Sequence, residues 1–219
     1  MYLIRGQHNL DLFNSRFPRV RLCGTIGNFD GLHLGHQAIL NKVKKNAQQN
    51  DAKTIVFFTE PHASEYFAKV REQNIMPPPR ICPWREKLKL LRQNKIDFAF
   101  FLKFNDSLRT MPPEDFISEI LESINLVSFT VGDDFRFGEN RKGDSNLLKS
   151  WGYKNNVVVE NTETILHKGE RVSSTRIRNE LMNNNFDLAE ELLGRPYTFS
   201  GKVVHGQHLG RTIDIPTAN

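Results

Sequence analysis

Two histidines three residues apart, His33 and His36, close the decapeptide Gly27-Asn28-Phe29-Asp30-Gly31-Leu32-His33-Leu34-Gly35-His36. An apolar run, 20–26, precedes it and reads as a buried strand, and 37–43 follows and reads as a helix. Glycines at a strand-to-helix turn let backbone N–H groups approach an anion, and the helix N-terminus adds positive potential there. Side chains three apart share a helix face, so both imidazoles project toward one place. The pattern suits a polyphosphate. A zinc pair is one alternative, but no supporting Cys, His or carboxylate set stands nearby at metal-site spacing. Two ordinary histidines at a helix start are the other.

Further groups able to do chemistry lie downstream. Ser173-Ser174-Thr175-Arg176-Ile177-Arg178 places hydroxyls and cations at another helix start, where a serine can equally be a plain N-cap. Gly138 to Ser145 has the glycine spacing of a Walker A loop, but Asp144 occupies the lysine position, so the stretch reads as loop and helix start. Phe67 and Phe137 are two of sixteen phenylalanines, each either a stacking partner for an aromatic ligand or core.

The elements that must position these groups alternate between strand and helix, the signature of a parallel α/β sheet. Residues 54–58, 98–102, 126–131 and 157–159 read as further strands; 84–91 and 113–124 read as helices. Several strands are continuously apolar, as expected where both faces are covered. Pro112-Pro113 marks a helix start, with Glu114 and Asp115 favourable in its first turn. Pro77-Pro78-Pro79 predicts an irregular loop within 63–83. Asn183-Asn184-Asn185 separates two short helices, the second over 187–193. From Tyr197 the period changes to two, which predicts a strand of a different architecture.

Composition narrows the class. With 38% hydrophobic and 25% charged residues the chain can bury a core. It shows neither a membrane-length apolar run nor a signal peptide at Met1-Tyr2-Leu3-Ile4-Arg5. Cys23 and Cys82 have no redox or metal spacing, which suits reduced thiols in a cytoplasm. A net charge of +5 suits anionic substrates, and the basic residues are spread rather than gathered into a nucleic-acid stripe. The expectation is a cytoplasmic protein without a nucleic-acid or membrane partner, monomeric or weakly self-associating.

The decapeptide resembles the nucleotidylyltransferase His-x-Gly-His signature in the form found in bacterial bifunctional riboflavin kinase/FAD synthetases. Thr59-Glu60-Pro61-His62, Val131-Gly132-Asp133-Asp134-Phe135-Arg136-Phe137-Gly138, Val172-Ser173-Ser174-Thr175-Arg176-Ile177-Arg178 and Leu193-Gly194-Arg195-Pro196-Tyr197 match that family in order. Gly201 to Arg211 and Pro216-Thr217-Ala218-Asn219 are similar to the opening of its riboflavin kinase domain.

The resemblance implies a Rossmann-like nucleotidylyltransferase domain over 1–194. The start of a riboflavin kinase β-barrel would follow over 195–219. Its implied activity transfers AMP from ATP to FMN, giving FAD and pyrophosphate, with phosphorylation of riboflavin to FMN in the parent protein. It assigns His33, His36 and Arg178 to catalysis. ATP would be held by Gly27, Asn28, Phe29, Gly31, Gly35, Ser173, Ser174 and Thr175, and FMN by Phe67, Asp134 and Phe137. Mg²⁺ would arrive with ATP and need no dedicated protein cage. Thr217 and Asn219 match kinase residues that engage Mg-ATP, yet riboflavin phosphorylation is not expected of these 219 residues by themselves. Two departures stand out: Ala63 follows His62 where proline is usual, predicting a looser loop, and Asp214 replaces a glycine in the kinase signature.

Overall fold

A continuously apolar strand is stable only when covered on both faces, and the central strands here are covered in that way. The computed structural model describes residues 1–70 and 76–201. In chain order, β1 (Tyr2–Arg5) leads through a short 3-10 turn to α1 (Leu10–Arg16), then β2 (Leu22–Ile26) and α2 (Leu34–Gln49). β3 (Lys53–Glu60), α3 (Ala63–Val70), α4 (Trp84–Gln93) and β4 (Phe98–Lys103) follow. Next come α5 (Asp106–Thr110), α6 (Pro113–Phe116) running into a π-turn over Ile117–Leu121, and β5 (Leu126–Gly132). α7 (Ser145–Asn155) and β6 (Val158–Thr162) precede a small hairpin of β7 (Leu166–His167) and β8 (Glu170–Arg171). α8 (Ser174–Met182) and α9 (Phe186–Leu193) complete the described elements.

Six strands form one parallel sheet in the order β1-β4-β3-β2-β5-β6. One face is packed by Phe57, Phe100, Phe129, Ile120 and Leu148 and the other by Phe58, Leu90, Leu91, Phe29 and Leu32. The order reverses at β2, where β3 lies on one side and β5 on the other. In an open α/β sheet the crevice at the carboxyl ends of the strands beside such a switch point is where ligands bind. The decapeptide sits there.

Several elements differ from their reading in the sequence. Residues 76–83 carry the irregular loop expected within 63–83, but 63–70 form α3, so Ala63 opens a helix instead of loosening a loop. His62 is at its start, and Glu65 reaches back to the His62 N–H at 3.0 Å, the reciprocal half of a capping box. The helix expected over 113–124 ends at Leu121. β1, α1 and the β7–β8 hairpin have no counterpart in the sequence reading. Residues 197–201 are not strand. The rest of that predicted strand, with Asp214, Thr217 and Asn219, lies outside the described residues. Asp144 does start a helix: its carboxylate accepts from Asn146 N and Leu147 N, both at 3.0 Å.

Candidate active site

β2 delivers the chain into a tight turn, 27–33, whose geometry depends on unusual backbone. Phe29 has φ 48°, Gly31 φ 78° and Leu32 φ 41°. A Cβ on Gly31 would lie 2.8 Å from the Ile81 side chain, so the left-handed turn and the close packing both demand glycine. The Asp30 carboxylate, almost fully buried, holds the turn shut. It accepts from Ile81 N at 3.1 Å and Cys82 N at 3.2 Å, and its Oδ2 lies 2.6 Å from the Arg178 guanidinium.

α2 then starts with His33 as its N-cap. His33 Nδ1 accepts from the His36 N–H at 3.3 Å, so a neutral ring carries its proton on Nε2. The two imidazoles stack, centroids 3.7 Å apart and planes 17° from parallel. Phe29 closes on His36 from the side, with centroids 5.0 Å apart. Gly35 permits this arrangement, since a Cβ there would press on the His33 ring at 3.2 Å.

These rings face an open cavity of about 300 Å³ lined by Gly27, Asn28, Phe29, His33, Gly35 and His36. Asp133, Asp134, Phe135 and Arg171 also line it, with Ser173 and Ser174 at the start of α8. Asn28 is oriented by Thr59, whose hydroxyl donates to Asn28 Oδ1 at 3.3 Å. Ser173 caps α8 by accepting from Arg176 N at 3.2 Å, and Ser174 Oγ donates to Asp30 O at 3.1 Å. Burial brings the His33 pKa down to about 4 and also lowers that of His36. Both are therefore neutral at pH 7, able to donate a hydrogen bond without bringing a charge. His36 Nδ1 is buried and has no partner among the described residues. Such an orphan beside a cavity suits a site that receives a polar ligand.

The structure rearranges part of the expected residue set. Gly31 faces Ile81, not the cavity. Thr175 is exposed and does not line the cavity. Arg178 is spent on Asp30 and on Pro79 O at 2.7 Å, so it braces the turn rather than facing the opening. The cation on the cavity wall is Arg171, which ends β8 and pairs with Asp134 at 2.9 Å and Asp133 at 3.4 Å. Phe137 is core: its ring packs on Phe116 and Phe135, and its backbone pairs with Gly143. Its near neighbour Phe135 lines the cavity instead. Phe67 is half-buried on α3 in an aromatic cluster with Tyr66 and Phe104. No His, Cys, Asp or Glu trio able to hold a metal ion occurs among the described residues.

Comparison with known proteins decides the family. A family model described as FAD synthetase matches residues 20–176, and a riboflavin kinase model matches 193–219. The bifunctional riboflavin kinase/FMN adenylyltransferase of Buchnera aphidicola subsp. Schizaphis graminum is 40% identical, the alignment covering 100% of this chain and 68% of that protein. The chain belongs to the bifunctional riboflavin kinase/FMN adenylyltransferase family. The Escherichia coli K12 member is likewise 40% identical, with 100% of this chain and 67% of that protein covered. A crystal structure described as a macrolide-efflux protein from Streptococcus pneumoniae superposes with a TM-score of 0.79 at 26% identity. That match covers 99% of this chain and 67% of the solved one. As in the family, the chemistry is FMN adenylylation: AMP passes from ATP to FMN, giving FAD and pyrophosphate. No helix among the described residues is long and apolar enough to cross a membrane.

The neutral histidines set an acid limit. His33, His36 and His62 all have pKa values lowered by burial, His33 and His62 to about 4. Between pH 6.5 and 4 the unfolded chain therefore binds more protons than the folded one, and stability falls as pH falls. For His33 alone the loss approaches about 3 kcal/mol at the bottom of that window. Thermal melts at pH 7 and pH 5 should show the lower Tm at pH 5. A flat Tm across that interval would overturn this account of the three rings.

Proposed function

We propose that the His33–His36 cavity is where the FMN phosphate meets the α-phosphorus of ATP. The stacked neutral imidazoles at the start of α2 are the observation that carries this reading. One FMN phosphate oxygen attacks the α-phosphorus in line with departing pyrophosphate, and charge grows on non-bridging and leaving oxygens. The cradle of Gly27, Asn28, Phe29 and Gly35, with the α2 N-terminus, binds the polyphosphate. His33, through Nε2–H, and His36 donate to oxygens that gain charge, and the Ser173 and Ser174 hydroxyls reach phosphate from the α8 side. The isoalloxazine rests on Phe135, with Asp134 as a polar contact and the Phe67 cluster farther out. Mg²⁺ enters with ATP, its coordination supplied mostly by phosphate oxygens and water.

Arg171 is the cation we assign to the polyphosphate, passing from Asp133 and Asp134 to ATP when the nucleotide enters. Arg171→Gln should raise the ATP KM or lower kcat by about tenfold to a hundredfold, with little change in Tm, because its side chain is half exposed. Steady-state kinetics of FAD formation, followed by chromatography, reads this directly. Unaltered constants would remove Arg171 from the site.

We set the domain boundary after Gly194, which ends α9 with φ 67°, with 1–194 as the FAD synthetase domain and 195–219 as the start of the kinase domain. The kinase-family match from residue 193 supports that division. A cytoplasmic location, where ATP and FMN are at hand, and a monomeric or weakly associating state without nucleic acid complete the reading.

A further inference from the structure

Lys87, on α4, is 0% exposed, a position in which lysine is almost never found unless paired. Its ammonium offers three donors. Among the described residues its hydrogen-bond partner is His62 Nε2 at 3.1 Å, a neutral acceptor. Nζ also sits 5.0 Å from the Phe58 ring centroid. Burial lowers its pKa from the usual lysine value, and the Glu60 and Asp30 carboxylates oppose that through space, but each is already bound by an arginine, Glu60 by Arg80 and Asp30 by Arg178. A buried charge so thinly partnered costs stability.

Its place in the fold shows what that cost serves. α4 follows Ile81-Cys82, whose N–H groups grip Asp30 in the phosphate turn. Leu90 and Leu91 of α4 pack with Phe58 and with Phe29 and Leu32 of that turn. α4 is thus the floor behind the turn. The groups that face Lys87 are His62 at the start of α3, Glu60 at the end of β3, Asp30 in the turn, and Arg80 and Cys82 ahead of α4. Its charge also bears on His36, across the turn.

We propose that Lys87 is a positioning residue of adenylyl transfer: a buried cation behind the His33–His36 turn. It gives the polyphosphate site fixed positive potential without touching the substrate. The assignment rests on the cavity being the reaction centre. A charge enclosed in protein acts across the turn with little screening, and it needs no reorganisation as negative charge develops. Its hydrogen bond to His62 fixes the ammonium in place and ties the start of α3 to the same floor.

Two substitutions separate charge from contact. Lys87→Met keeps the volume and removes the charge; Lys87→Gln is uncharged but still donates to His62. Both should lower kcat for FAD formation by about fivefold to fiftyfold with little change in the FMN KM. Tm should equal or exceed that of the parent chain, because a buried charge has gone. The His62 imidazole should titrate at a higher pH by NMR in both variants, which verifies that the ammonium has gone, while the fall in kcat at a nearly constant FMN KM is the change that a purely structural lysine would not cause. A kcat within about twofold of the parent in Lys87→Met, or restored in Lys87→Gln, would overturn the assignment. Failure of both variants to fold would make Lys87 a folding requirement and overturn it too. Full activity in His36→Ala would instead overturn the reading of the cavity, whatever the Lys87 variants do.

Discussion

With His33 and His36 both replaced by alanine, FAD formation is expected to fall at least about a hundredfold while the protein stays folded. The rings stack at 3.7 Å over the cavity, and each is neutral at pH 7 because burial disfavours its cation. A neutral donor gains most where an oxygen becomes more negative during the reaction, so the loss should fall on kcat more than on the FMN KM. The single variants should not add to the double, since His33 Nδ1 holds the His36 N–H and loss of either ring disturbs the other. Removing these two rings should also flatten the acid-stability profile, as two of its three depressed imidazoles are gone. Circular dichroism would confirm folding, and chromatographic FAD assays would give the rates. Near-parent kcat in the folded double variant would exclude the pair from the mechanism.

The largest stability effect should come from Asp30→Asn. Asp30 is 1% exposed, and its carboxylate serves two backbone N–H groups and the Arg178 guanidinium together. Neutralising it leaves a mostly buried arginine without its counter-charge, a change that costs about 3–5 kcal/mol in buried pairs. In a chain of this length that corresponds to a Tm drop of roughly 10 °C. Turnover should fall as well, because the loosened segment carries His33 and the Phe29 wall. Arg178→Met should be similarly costly, and the double variant should lose less than the sum of the two. Denaturant unfolding of all three chains measures the coupling. Additive losses would show that the ion pair is not what fastens the turn.

His33 and His36 could be read directly because their relation is local: three residues apart at a helix start, they must share a face. The inner strands were legible for a similar reason, since Ile55 to Phe58 and Phe98 to Leu102 are apolar without alternation and only two-sided burial tolerates that. β1 was not legible. It is four residues long, pairs with β4 on one edge, and has too little length to establish a period.

What the sequence determined by itself was the parallel α/β class, the glycine-bent turn before α2, the histidine pair and the family resemblance. All of these reside in local spacing or in ordered motifs. Only tertiary structure decided which charge faces the cavity. Arg178 lies in the more suggestive motif, yet Asp30, remote in sequence, captures it. Arg171 reaches the opening because the β7–β8 hairpin turns it there. The same holds for the proposed flavin wall: Phe135 and Phe137 are of one type and two residues apart. The pairing of Phe137 with Gly143 buries one ring and leaves the other at the cavity. Long-range pairing and burial set partners and exposure, and neither is a property of a residue's neighbours along the chain.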